Sequence, residues 1–100
     1  MARPRLQTLT EQMYYTLLCL RSECCGMDIM ERVRRMTNDR VVMGPATTYN
    51  LLEQFLAEGI IQETRVAGRR RSYILTGKGI ETLDGEYQRL LVLVEDYRRF

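Results

Sequence analysis

Residues 44–79 read GPATTYNLLEQFLAEGIIQETRVAGRRRSYILTGKG. Pro45 has the fixed φ that suits the first turn of a helix, and Gly59 supplies a C-terminal stop, so a helix is expected over PATTYNLLEQFLAEG. Leu51, Leu52, Phe55 and Leu56 give that helix a core face, while Thr47, Asn50 and Gln54 fall at i, i+3 and i+7 on the other side. Two strand-like runs follow, IIQETRV and RRSYIL, joined through Ala67-Gly68, and together they signal a β-hairpin. Tyr73 and Leu75 lie two apart and share its inner face, which leaves Arg69, Arg70 and Arg71 at and beside the tip.

The charge balance makes that tip unusual. The chain carries 15 basic and 13 acidic residues and no histidine, for a net charge of +2. Between Thr64 and Ile80 lie Arg65, Arg69, Arg70, Arg71 and Lys78 with no acidic residue, so the remainder of the chain is net negative. A concentrated basic patch on a slightly acidic body suits a surface that contacts phosphates.

Upstream of this stretch, Thr8-Leu9-Thr10-Glu11 has the spacing of a capping box, and Met13, Tyr14, Leu17, Leu18 and Leu20 recur at helical spacing. A first helix is expected over about Leu9–Leu20. SECCG breaks the pattern, and Ile29, Met30, Val33 and Met36 mark the inner face of a second helix over about Met27–Met36. TNDR is a turn, and VVM before Gly44 has room for a small strand at most. Downstream, one long helix begins at about Gly77. In it Ile80, Leu83, Tyr87, Leu90, Val94 and Tyr97 are spaced 3, 4, 3, 4, 3, an a/d seam that asks for a partner helix, and Leu91 and Leu93 widen the apolar surface.

The chain of 100 residues is long enough for one compact domain. No apolar run approaches the ~20 residues that span a bilayer, and MARPRLQTLTEQ lacks the apolar core of a secretory signal, so a cytoplasmic protein without membrane contact is expected. Cys19, Cys24 and Cys25 are odd in number and have no histidine beside them. They read as reduced, packed thiols rather than a disulfide framework or a metal site, with a redox sensor as the alternative. No nucleophile motif or phosphate-binding glycine loop is present, so neither an enzyme nor a cofactor is expected.

Three helices followed by a two-stranded basic hairpin give a mainly α fold with a small β-hairpin, a winged helix-turn-helix with one long C-terminal helix. In that arrangement the third helix enters the major groove of double-stranded DNA and the hairpin, or wing, runs along the flanking backbone, so residues 1–76 are expected to form a DNA-binding region and 77–100 a dimerisation helix. Thr47, Asn50 and Gln54 would then read bases, and Arg69, Arg70 and Arg71 would hold phosphates. A homodimer would place two such helices on an inverted-repeat operator. The alternatives are a winged helix used for protein contacts and a sequence-indifferent architectural DNA binder.

LTEQMYYTLL, CGMDIMERV, GPATTYNLLEQFLAEGII and GRRRSYILTGKG together resemble the PadR family of bacterial transcriptional regulators over about residues 8–80. The resemblance implies a homodimeric DNA-binding repressor with a winged helix and a C-terminal dimerisation helix. Thr47 and Tyr49 match the recognition-helix motif, and Arg70, Arg71, Tyr73, Leu75, Thr76 and Gly79 match the wing and the helix start after it. Met27 replaces the family's usual tyrosine, read here as a packing substitution. Val41–Thr64 contains Glu53, Glu58 and Glu63 and no basic residue, where relatives generally carry Lys or Arg near positions 53 and 54. That shifts the phosphate grip to the wing, Arg40 and the N-terminal Arg3 and Arg5. No small-molecule effector is identified by these motifs.

Overall fold

The computed structural model describes residues 8–100, so Arg3 and Arg5 lie outside the described residues. The element order is α1 (Glu11–Cys19), β1 (Cys24–Cys25), α2 (Gly26–Met36), α3 (Pro45–Ala57), β2 (Ile61–Ala67), β3 (Arg70–Leu75) and α4 (Gly77–Arg99). The three strands form one antiparallel sheet in the order β1-β3-β2. This is a winged helix with a long C-terminal helix, as the order of patterns predicts.

The start of α1 differs in detail from the expected capping box. Thr10, not Thr8, is the N-cap, and its hydroxyl accepts from the Met13 amide at 3.1 Å. Glu11 pairs instead with Arg40. Between α2 and α3 the turn is closed by left-handed Asn38 and Asp39 (φ 52° and 62°), two residue types that tolerate this conformation, and by the Arg34–Asp39 ion pair at 2.7 Å. No strand forms at 41–43. Val41 and Met43 do alternate inward around exposed Val42, but they insert into the core without a neighbouring strand to pair with.

The core joins Leu17 and Leu20 of the α1 region, Ile29 and Val33 of α2, Leu52 and Phe55 of α3, and Tyr73 and Leu75 of β3. Met36, expected on the inner face of α2, is exposed at its C-terminal end. Backbone bonds tie the hairpin base to both sides, the Leu75 amide donating to the Leu20 carbonyl and the Thr76 amide to that of Ile60, each at 2.9 Å. Thr76 also caps α4, accepting from the Gly79 amide at 3.1 Å. Hairpin, α3 and α4 are thus fixed to one another at a single corner.

Candidate nucleic-acid interface

Burial sorts the residues of α3 into faces. Thr48, Leu52 and Phe55 are buried and Leu51 is half-buried, whereas Leu56, expected inside, is exposed. Thr48 can take the inward place because its hydroxyl donates to the Gly44 carbonyl at 2.9 Å, which removes the cost of burying it. On the outer side Tyr49, Asn50 and Glu53 are exposed, while Thr47 and Gln54 are half-buried on the flank. The expected line of three polar residues is therefore uneven, with Asn50 standing furthest out.

Gly68 (φ 63°) occupies the first of the two hairpin-turn positions and Arg69 the second. A positive φ at the first position alone is the pattern of a type II′ turn, whose twist suits a β-hairpin. The register shifts between Glu63 and Arg65, leaving Thr64 as a bulge that adds twist to the wing. Alternation along β3 puts Arg71 on the face of Tyr73 and Leu75, and Arg70 on the opposite face with Ser72. Arg71 reaches Glu63 at 3.6 Å. Arg65, Arg69 and Arg70 have no ion pair among the described residues.

Arg40 is held differently. Its guanidinium donates to Glu11 and to the Tyr15 hydroxyl, both at 2.8 Å, and lies 5.8 Å from the centre of the Tyr15 ring. It is committed to α1. Lys78 likewise donates to the Glu58 carbonyl at 2.7 Å, at the end of α3.

Between α3, the start of α2 and the hairpin lies a cleft of about 620 Å³. Buried Cys25, Gly26, Leu52 and Tyr73 form its floor, and exposed Met27, Tyr49, Glu53, Arg69, Arg70 and Arg71 surround its mouth. Met27 is thus a cleft residue, 63% exposed, rather than a packing substitution. The ring of Tyr49 rests on Gly26 so closely that a Cβ there would lie 2.7 Å from it. The sequence shows the glycine and the tyrosine separately, but nothing in their spacing shows this contact.

Cys19, Cys24 and Cys25 are free and buried. Burial pushes the Cys24 thiol up to about 11, the reverse of the lowered value a thiolate sensor needs. The Cys25 thiol donates to Asp28 at 3.2 Å.

Along α4, Leu83 is buried in the core of its own chain and so leaves the expected seam. Leu90 is half-buried, and Ile80, Tyr87, Leu91, Val94 and Tyr97 are exposed, joined by Val92, Leu93 and Phe100. Glu86, which no motif singles out, is buried beside Leu83, accepting from Arg89 Nη2 at 2.6 Å and from the Leu9 amide at 3.3 Å. The i, i+3 spacing of Glu86 and Arg89 is the only sequence signal of this pair. No described helix is long and apolar enough to cross a membrane.

No family model matches the chain, and no curated protein matches it. Solved structures do. A transcriptional regulator from Clostridium thermocellum superposes with a TM-score of 0.76 at 18% identity, over 90% of this chain and 91% of that one. A PadR-like transcription factor from Bacteroides fragilis gives 0.74 at 22% identity, over 88% and 86%. PadR of Bacillus subtilis, solved in complex with operator DNA, gives 0.65 at 24% identity over 74% of this chain. The match spans 45% of that longer protein. At these identities the likeness is one of fold.

Proposed function

We propose that this chain, built on the winged-helix fold seen in PadR-like regulators, is a sequence-specific DNA-binding transcriptional repressor that acts as a homodimer on an inverted-repeat operator. The observation that carries this reading is that Tyr49 and Glu53, on the outer side of α3 beside Asn50, border one cleft with the arginine-rich hairpin, so helix and wing are open to the same partner. A duplex laid there offers base edges to the helix and phosphates to the wing. Asn50 reads bases with Thr47 and Gln54 beside it, since an amide pairs two ways with adenine and a hydroxyl serves several bases. Arg69 and Arg70 neutralise phosphates, and Tyr49 braces the helix against Gly26 at the start of α2. Arg71 contributes less because Glu63 already occupies it, and Arg40 less again because Glu11 and Tyr15 hold it.

The dimer reading rests on α4, whose apolar residues Tyr87, Leu91, Val94 and Tyr97 are left exposed by the described residues. One observation favours a second reading. Glu53 is exposed on a helix without a basic residue, which suits a winged helix used for protein contacts. Fluorescence anisotropy with several unrelated duplexes at two salt concentrations separates the readings. The repressor prefers one sequence strongly at both salts, an architectural binder holds all duplexes alike with a steep salt dependence, and a protein adaptor binds none.

A further inference from the structure

Resting on the DNA-binding reading above, we propose that Glu53 is a specificity-determining residue that selects cytosine, by way of its exocyclic amino group, in the base pair beside the one read by Asn50. Glu53 is exposed on the outer side of α3. It follows Asn50 by three residues, so the two side chains share that side and lie about 4.5 Å apart along the helix axis at 1.5 Å per residue. Base pairs stack at about 3.4 Å, and side chains three residues apart on a helix in the major groove meet successive pairs.

The chemistry follows from what Glu53 lacks and from what surrounds it. Glu53 has no ion pair among the described residues, and Arg71, which borders the same cleft, pairs with Glu63 instead. An ionised carboxylate only accepts hydrogen bonds. The base-edge donors of the major groove are the amino groups of adenine and cytosine, and adenine's stands beside the N7 acceptor, so cytosine is the base a carboxylate fits. Guanine presents two acceptors and thymine an acceptor and a methyl group, and either would leave the carboxylate desolvated and unpaired. Asn50 carries both a donor and an acceptor and so takes the adenine. The helix itself has no Lys or Arg. A carboxylate on such a helix is repelled by the phosphates along both rims of a groove about 12 Å wide, and its best place is over the base edges between them. The wing arginines hold the phosphates, and Glu53 makes the helix exacting about the bases beneath it. The exposure of Glu53 that suits a protein contact thus has its own role in base reading.

The full chain and its Glu53→Gln variant are each used to select bound fragments from a random double-stranded pool. The parent should enrich a motif with an A·T pair beside a C·G pair. Glu53→Gln should keep the first and turn the second to A·T, since glutamine pairs two ways with adenine. The parent's enriched duplex is then made with N4-methylcytosine at that position, a base that still pairs with guanine but puts a methyl group where the major-groove N–H stood. By fluorescence anisotropy this change should weaken the parent about tenfold or more and leave Glu53→Ala unmoved. Random duplexes should bind Glu53→Ala at least as well as the parent, because a negative charge has been taken from a surface that meets phosphates. A parent motif without the C·G pair, an unchanged motif in Glu53→Gln, an equal response of parent and Glu53→Ala to the methyl group, or a loss by Glu53→Ala on every duplex alike would overturn the assignment. In each of those cases an enriched motif would leave the DNA-binding reading standing. A chain that enriches no motif and binds no duplex would remove that reading and this assignment together.

Discussion

Gly79 sits where the first turn of α4 crosses the connection between α3 and β2, and a Cβ there would overlap the Ile60 carbonyl oxygen. That oxygen also accepts from the Thr76 amide, so it cannot retreat without releasing the hairpin base. Gly79→Ala should therefore cost about 1–3 kcal/mol, read as a lowered urea midpoint, and an unchanged midpoint would refute the close approach. Glu86 is a second such position. Its hydrogen bonds from Arg89, aided by the Leu9 amide, hold the buried carboxyl below the ordinary value of 4.5. The stability it adds is complete above about pH 4.5 and disappears as pH falls through the lowered folded value. Glu86→Gln should lose about 1–3 kcal/mol at neutral pH and show a shallower decline in acid, and equal acid sensitivity in both proteins would contradict this role. Neither residue announces itself in the sequence. Gly79 matches a motif without a stated reason, and a glutamate within an apolar repeat reads as solvent-facing until α1 is seen to lie against it.

At the scale of elements, the segment from Pro45 to Leu75 was the most legible, because Pro45, Gly59 and Gly68 each impose a backbone geometry that few other residues share. β1 was not legible, since two residues, Cys24 and Cys25, carry no periodicity, and their pairing with Tyr73 and Ser72 spans almost half the chain. The helix-capping threonine lies two positions from the expected one for a similar reason: Glu11 fits a capping box by spacing, but Arg40, far along the chain, claims it. Within the proposed interface, the wing arginines are unequal. Arg69→Ala with Arg70→Ala should weaken binding to all duplexes and lower the log–log salt slope by about 0.9 for each phosphate no longer neutralised, with Arg71→Ala and Arg40→Ala each doing less. A changed sequence preference at constant slope would contradict this division. Asn50→Ala, by contrast, should cost roughly 1–3 kcal/mol at the preferred site and little on random DNA, and equal losses on both would remove it as a base reader.

For the whole molecule, α4 matters most. Its 23 residues extend roughly 34 Å at 1.5 Å per residue, and beyond Leu90 every side chain is exposed. The heptad spacing was visible in the sequence, but which part turned inward was not, because Leu83 fits an inter-chain seam and an intra-chain core equally well by spacing. Leu91→Asp with Val94→Asp, both exposed in the single chain, should leave the fold intact and halve the sedimenting mass, while an unchanged mass would place the dimer contact elsewhere. A two-fold dimer through α4 would carry two copies of α3 toward one duplex, and this sets the form of the site they select. The measurement that follows is selection of bound fragments from a random double-stranded pool, followed by sequencing. The proposed repressor should enrich an inverted repeat whose half-sites lie about one helical turn, or a multiple of it, apart, and Asn50→Ala should alter that motif. Enrichment of no motif, or of a single unrepeated site that Asn50→Ala leaves unchanged, would contradict it.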